Sequence, residues 1–353
     1  MKQLNIAIIG QGRSGRDIHG KYILSAPDKY KIVYIVDAIP ERRSKAEREY
    51  GCPALADYKE LFGKTGIDFV VNASFSHQHL PITLDLLDHG FNVLCEKPFA
   101  HTAAQVDKLI VKRNETGKML AVFQQSRFAP YFEQVKKVIA SGVLGRIIQI
   151  GIQFNGYARR WDWQTLQEFG GGNLYNTGPH PVDQALNLLD YPGMPAVFCK
   201  MDRVNTWGDA EDYVKLILTA PDRPLVDLEI SSCEAYPEFT YNIHGSKGGL
   251  KGSMKELKWR WFVPSQAPEQ KLLREPLHDK DWNPLYCREQ LAWHEDSWKG
   301  DESAVFSDAV GCLYATVYDH LVNGKPLAVT AEQVRQQIAV MEEAHRQNPL
   351  SRL

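Results

Sequence analysis

Lys97 and His180 are the side chains of this chain best suited to moving a proton near neutral pH, and each stands in a segment that could aim it. Lys97 lies in Cys95-Glu96-Lys97-Pro98, directly after the short apolar run Asn92 to Cys95. Ligands of doubly wound sheets bind at the carboxyl ends of strands. An ammonium there can donate to a substrate oxygen and share in proton transfer, with partial burial lowering its pKa toward the working range. A lysine in a proline-bounded turn is also commonly just solvated, and position alone leaves both roles open. His180 closes a glycine-rich run from Gly170-Gly171-Gly172 through Asn176 and Gly178. Those glycines permit close approach of backbone to a ligand, and Pro181 suits the first turn of a helix. On that helix His180, Asp183, Gln184 and Asn187 share one face, while Val182, Leu186 and Leu189 take another. Asp183 is expected to steady the imidazole's charge or tautomer. A capping or core histidine is the alternative.

A second chemistry is written at the start. The apolar run from Ile6 breaks into Gly10, Gly12 and Gly15, with Arg13 and Ser14 between the last two. This spacing gives a tight turn, a backbone open to a pyrophosphate and a helix whose first N–H groups point at phosphate. Asp37 ends the next apolar run, Ile32 to Val36, at the distance expected for a carboxylate that accepts from ribose hydroxyls. A carboxylate there repels a 2′-phosphate, so NAD is the expected cofactor and NADP the less favoured one. Arg42 and Arg43 would accommodate that phosphate only if their loop curled inward. Tyr157, Arg159 and Trp161, just ahead of the glycine run, offer planar rings and polar groups that could line a ligand pocket. Packing under a loop or at a subunit contact would use the same rings. His77-Gln78-His79 lacks a third ligand in view, so no metal site is expected.

These groups need a scaffold in two parts, since 353 residues exceed one compact core. Strand-like runs at Leu4 to Ile9, Ile32 to Val36, Phe69 to Asn72, Asn92 to Cys95 and Met119 to Phe123 alternate with helical patterns at Ser14 to Leu24, Glu41 to Tyr50, His79 to His89 and Ala103 to Thr116. That alternation predicts an α/β fold with an open, doubly wound parallel sheet over residues 1–124. From 125 to 353 the pattern changes to alternating stretches such as Ile147 to Phe154, Tyr213 to Leu218, Leu225 to Ser231 and Leu257 to Val263. They are flanked by helices at Pro130 to Ser141, Pro181 to Leu189, Val305 to Leu321 and Ala331 to Gln347, the last capped by Thr330. An α+β domain with a large, mostly antiparallel sheet is the expectation, with a face free to pair in a homodimer or homotetramer. Forty-one basic against 43 acidic side chains leave no bulk field for nucleic acid or membrane. Scattered cysteines and the lack of a signal-peptide layout or a membrane-length apolar run lead us to expect a cytoplasmic protein.

Taken in order, Gly10-x-Gly12-x-x-Gly15 with His19, Ser74-Phe75-Ser76-x-x-His79, Glu96-Lys97-Pro98, Arg127-Phe128-x-Pro130, the Gly170 to Asp183 run and Gly245-Ser246-Lys247-Gly248 resemble the signature of the glucose–fructose oxidoreductase, inositol dehydrogenase and rhizopine catabolism (Gfo/Idh/MocA) family over nearly the whole chain. The resemblance implies an N-terminal Rossmann domain carrying NAD(H) or NADP(H), with Ser74, His79, Glu96 and Pro98 beside the cofactor. It implies a C-terminal domain whose sheet shapes a sugar or polyol pocket, with Arg127 among the contacts, and often joins subunits. Lys97 and His180 would face the nicotinamide, and the Pro98 peptide would be cis. Many dehydrogenases of the family carry aspartate where this chain has Asn176, which can orient a hydroxyl or an amide but cannot take a proton. His180, backed by Asp183, is then the expected base. The implied reaction is hydride transfer between nicotinamide and a secondary alcohol or ketone of a sugar, glycoside or inositol. Two alternatives stand beside it: a glycoside-processing enzyme that keeps NAD and oxidises only transiently to allow elimination, and a non-catalytic nucleotide sensor.

Overall fold

The computed structural model describes residues 2–301 and 305–352. Six strands form the first sheet: β1 (Leu4–Ile9), β2 (Tyr30–Val36), β3 (Ala54–Leu55), β4 (Phe69–Asn72), β5 (Val93–Cys95) and β6 (Leu120–Val122). All pairings are parallel, in the order β3-β2-β1-β4-β5-β6. Such a sheet is covered on both faces, which is why its strands read as unbroken apolar runs. Only the two-residue β3 was too short to show in the pattern. The order reverses between β1 and β4, and a crevice opens at the carboxyl ends of strands at such a point. Helices α1 (Lys21–Ser25), α2 (Pro40–Tyr50), α3 (His79–Asp88) and α4 (Ala103–Thr116) flank the sheet. The helix expected from Ser14 begins instead as a π-helical segment, Arg13–Gly20, that runs into α1.

The second sheet holds eight strands: β7 (Ile147–Asn155), β8 (Ala196–Asp202), β9 (Tyr213–Thr219), β10 (Leu225–Ser231), β11 (Tyr241–Gly245), β12 (Gly248–Gly252) and β13 (Glu256–Phe262), then, after a small hairpin of β14 (Leu277–His278) and β15 (Pro284–Leu285), β16 (Trp293–Lys299). Its order is β16-β13-β12-β11-β7-β10-β9-β8, and only β7 with β10 pairs parallel. The helices here are α5 (Pro130–Ala140), the one-turn α6 (Asn173–Asn176), α7 (Pro179–Leu188), α8 (Val305–Asn323) and α9 (Ala331–Gln347). Residues of α5, α7 and α9 share one buried apolar cluster with alternate residues of the sheet, such as Ile150, Ile152, Val214, Leu216, Val226 and Leu228. The opposite face is polar and carries a concavity of about 880 Å³ lined by Lys251, Lys258, Arg260 and Trp293. Thr330 caps α9 as expected, accepting from the Gln333 backbone N–H in a capping box.

The two sheets do not have separate interiors. From beyond residue 124, α8 inserts Val310, Leu313, Tyr314 and Val317 among Leu4, Ile6, Ile8 and Ile35 beneath the first sheet. The cluster that underlies the second sheet continues into Ala7, Ile9, Val70 and Val93 of the first. Among the described residues, no helix is long and apolar enough to cross a membrane.

Candidate active site

The glycine turn after β1 is built for close approach. Gly10 has φ +90, and a Cβ there would overlap the Ala73 carbonyl; one on Gly15 would overlap the Gly10 carbonyl oxygen. Both positions are therefore closed to any side chain. Gly12 differs: a Cβ built on it meets nothing within 4 Å, so its backbone faces open space where a diphosphate can lie. Behind the turn, the buried Asp37 carboxylate accepts from the Gln11 N–H at 2.7 Å through Oδ2 and from the Ile39 N–H at 2.9 Å through Oδ1. Lone pairs remain on both oxygens. Gln11 Oε1 is buried without a partner among the described residues. These features fit a dinucleotide. Arg42 lies 3.6 Å from Asp37 Oδ2, and with the exposed Arg13 it lines a cleft of about 290 Å³ beside the turn. Arg43 instead donates to the Asp37 and Ala38 carbonyls.

At the end of β5 the backbone delivers Glu96 inward and Lys97 toward the second half of the chain. The Lys97–Pro98 peptide is cis. Glu96 is buried; its Oε1 lies 3.2 Å from His19 Nε2, and its Oε2 accepts from the Lys97 backbone N–H. Burial alone would raise the carboxyl's pKa. The hydrogen bond and charge of His19, with Lys97, override that and take it down to about 2. Lys97 donates its Nζ to the Asn176 carbonyl at 2.6 Å, so the front and back halves meet there. Burial lowers the Lys97 pKa, Glu96 opposes the shift and Arg13 adds to it. His180 lies within the field of this lysine. Desolvation first, then the Lys97 charge, drive the His180 pKa down to about 3 against a smaller opposing pull from Glu96, and the ring is neutral at pH 7. Its Nδ1 is 3.0 Å from Ser126 Oγ.

Asn176 is presented by α6, whose entry depends on Glu211. That carboxylate fills the space a side chain on Gly172 (φ +100) would need, and it accepts from the Leu174 N–H. Tyr157 and Trp161 are 61% and 75% exposed, and Arg159 stacks over Trp207, so this segment forms an open rim.

Four expectations need correction. Asp183 does not steady His180: its carboxylate is taken by Arg127 Nε at 2.9 Å, by a second Arg127 N–H and by the Tyr191 hydroxyl. Arg127 in turn is not free for substrate. It is 4% exposed, and it donates also to the Ala328 carbonyl and to Gln333 Oε1. A buried guanidinium demands such a full set of acceptors. His79 does not present itself to a cofactor, since it is buried with Nδ1 2.7 Å from the Pro98 carbonyl and Nε2 3.1 Å from the Ser74 carbonyl. The Ser74 hydroxyl is likewise turned inward, donating to Asn72 Oδ1. These side chains hold the loops in place.

The polar stripe on α7 thus has the turn Gln125–Phe128 as its partner: His180 meets Ser126, Asp183 meets Arg127, and Gln184 donates to the Ser126 carbonyl at 2.9 Å. Ser126 went unnoticed because a lone serine carries no spacing signal. Asn72 went unnoticed as a polar residue ending a buried strand, which is a usable cue; it bonds the His79 carbonyl and Thr83. Gln164 has only its place at the end of the aromatic segment from Tyr157 as a cue, and Glu211 has none.

Both halves of the chain have matches among known proteins. Residues 4–124 match the model of an oxidoreductase family with an NAD-binding Rossmann fold, and residues 132–251 match the GFO/IDH/MocA C-terminal domain. The chain is 26% identical over 262 residues to 2,7-anhydro-N-acetylneuraminate hydratase of Mediterraneibacter gnavus, covering 72% of this chain and 68% of that one. It is 27% identical over 218 residues to the scyllo-inositol 2-dehydrogenase (NADP(+)) IolW of Bacillus subtilis, covering 61% and 59%. Its fold is that of GenD2 from gentamicin A biosynthesis, solved with NAD, at TM-score 0.78 and 20% identity over 98% of this chain and 94% of that one. With both halves matched in order, the chain belongs to the Gfo/Idh/MocA family of oxidoreductases, with an NAD-binding Rossmann fold at its N-terminus.

Proposed function

We propose that this protein transfers a hydride between NAD(H) and a secondary alcohol or ketone of a sugar, glycoside or inositol. The observation that carries the reading is the junction of Lys97 Nζ with the Asn176 carbonyl at 2.6 Å, beside a neutral His180. When bound, the nicotinamide supplies the hydride acceptor or donor. The chain's residues handle the proton. Lys97 donates a hydrogen bond to the reacting oxygen and stabilises the charge that grows on it, while neutral His180 accepts the hydroxyl proton and returns it in the reverse direction. Gly12 and the turn around it would bind the diphosphate. Asp37 would accept from the adenosine ribose, which favours NAD over NADP, with Arg42 alongside. Tyr157, Arg159 and Trp161 would form the outer wall of the substrate pocket, and a homodimer or homotetramer is the expected assembly.

The test is a spectrophotometric panel of sugars, glycosides and inositols with NAD and NADP in parallel. Lys97→Ala and His180→Ala should each lower turnover by about 10²-fold or more with NADH affinity retained; unaffected turnover in both refutes the assignment. The similarity to a hydratase favours one second reading, in which NAD stays bound and oxidation is transient. Sugar-dependent product formation without net NADH would select it. Nucleotide binding with no turnover at all would leave a sensor.

A further inference from the structure

We propose that Arg160 and Gln164 are positioning residues that lock the Asn176 carboxamide in one orientation, with its NH₂ group turned to the substrate, so that this subsite takes an oxygen acting as hydrogen-bond acceptor. The proposal rests on the reading of the Lys97–His180 region as the reaction site.

The orientation follows from donor and acceptor chemistry along a short chain of contacts. Arg160 is clamped by Asp162, which accepts from Nε at 3.0 Å and from an NH₂ group at 2.8 Å. The same NH₂ group donates to Gln164 Oε1. A guanidinium only donates, so the end of the Gln164 carboxamide that faces it is the oxygen. Nε2 therefore points the other way, to Asn176 Oδ1 at 3.3 Å. That contact fixes the second amide: its oxygen is used, and Nδ2 is left without a protein partner among the described residues. The backbone around the relay is held too. Asp162 Oδ1 accepts from the Gln164 N–H at 3.0 Å, and the Gln164 carbonyl accepts from the Gly172 N–H at 2.9 Å. Arg160, Gln164, Gly172 and Asn176 line one narrow cleft.

Lys97 Nζ sits on the carbonyl of this same asparagine, so two donors, Nζ and Nδ2, belong to one neighbourhood. A hydroxyl bound between them must offer its lone pairs, which leaves its proton for His180. A carbonyl or carboxylate oxygen is received equally well. An ammonium, as on an amino sugar, would face the two donors Nζ and Nδ2 and is disfavoured there. Asparagine in place of aspartate thereby sets the polarity of the subsite, and Arg160 supplies the fixed end from which that polarity propagates.

Two measurements test this. Neutron diffraction from perdeuterated crystals of the full chain with NADH should show the Gln164 deuterons facing Asn176 and the Asn176 deuterons turned away; Asn176 deuterons pointing at Gln164 would overturn the proposal whether or not a substrate is known. Kinetics with NAD and myo-inositol, scyllo-inositol or methyl β-D-glucoside supply the second arm. Gln164→Glu keeps the shape but forces the Asn176 NH₂ toward the new carboxylate. It should lose about tenfold or more in kcat/KM, mostly in kcat, with NADH affinity within about twofold of the unsubstituted protein. Gln164→Leu, which merely frees the amide, should lose less. Leu harming more than Glu would mean a packing role and sink the idea. No turnover of any probe by the unsubstituted protein would count against the dehydrogenase reading alone, because the deuteron positions still decide the relay.

Discussion

Asp183 lies three residues from His180 on α7 and invites a catalytic role, yet its partners make it a structural charge, and the two roles separate on substitution. Asp183→Asn keeps the volume and removes the charge. Arg127 then loses one carboxylate oxygen outright, because the asparagine NH₂ faces a guanidinium that can only donate. Breaking one side of a buried ion pair costs about 3–5 kcal/mol. Tyr191, Gln333 and the Ala328 carbonyl still accept from Arg127, so the lower end, about 3 kcal/mol, is expected. Arg127→Met should cost a similar amount. The pair Arg127→Met/Asp183→Leu should fall well short of the sum, with a coupling of about 2 kcal/mol or more. Urea unfolding followed by fluorescence and far-ultraviolet circular dichroism reads these as midpoint shifts at constant slope. Stability within about 0.5 kcal/mol of the parent for Asp183→Asn, combined with collapsed turnover, would refute the reasoning and return Asp183 to the proton-transfer machinery.

Gly12→Ala should leave stability within about 0.5 kcal/mol, since its Cβ meets no atom, while raising the NADH dissociation constant about tenfold or more in a fluorescence titration. Gly15→Ala, whose Cβ would overlap the Gly10 carbonyl, should instead lower the unfolding midpoint; equal effects of the two substitutions would contradict the turn's geometry. Lys97→Met removes the cation that helps depress His180, so the His180 pKa should rise from about 3 yet stay below 6.5, because burial is the larger cause; histidine NMR shifts against pH would report it. Glu96 titrates near 2 in the folded chain against an ordinary value of 4.5, so its contribution to stability is complete above about 4.5 and fades as pH falls toward 2. Glu96→Gln should therefore flatten the acid limb of a stability–pH profile, and an unchanged limb would show that the His19 contact is inert.

The parallel sheet was legible because its strands are buried on both faces and read as continuous apolar runs between helical periods. The second sheet was legible only in part. β7, β9, β10 and β13 alternate, whereas β12, G-G-L-K-G, is glycine or lysine at four of its five positions, and β16, W-H-E-D-S-W-K, is an edge strand with little to bury. Lys97, His180 and the glycine turn could be read from residue type and spacing. The fate of Asp183 could not, because its partner Arg127 is 56 residues away and helical spacing places side chains on a face without saying what that face meets. Gln164 and Asn176, 12 residues apart, pose the same difficulty.

Helices α8 and α9 double back over both halves. The Tyr314 hydroxyl lies 2.7 Å from His19 Nδ1, the Tyr30 hydroxyl donates to the Tyr314 carbonyl, Arg335 clasps Asp107, and Gln333 receives Arg127. Stitched at these points, the halves are expected to move as one body rather than gape like jaws. Entry to the proposed pocket is then expected at the exposed Tyr157 and Trp161, and substitutions there should alter product release more than substitutions along α8 or α9.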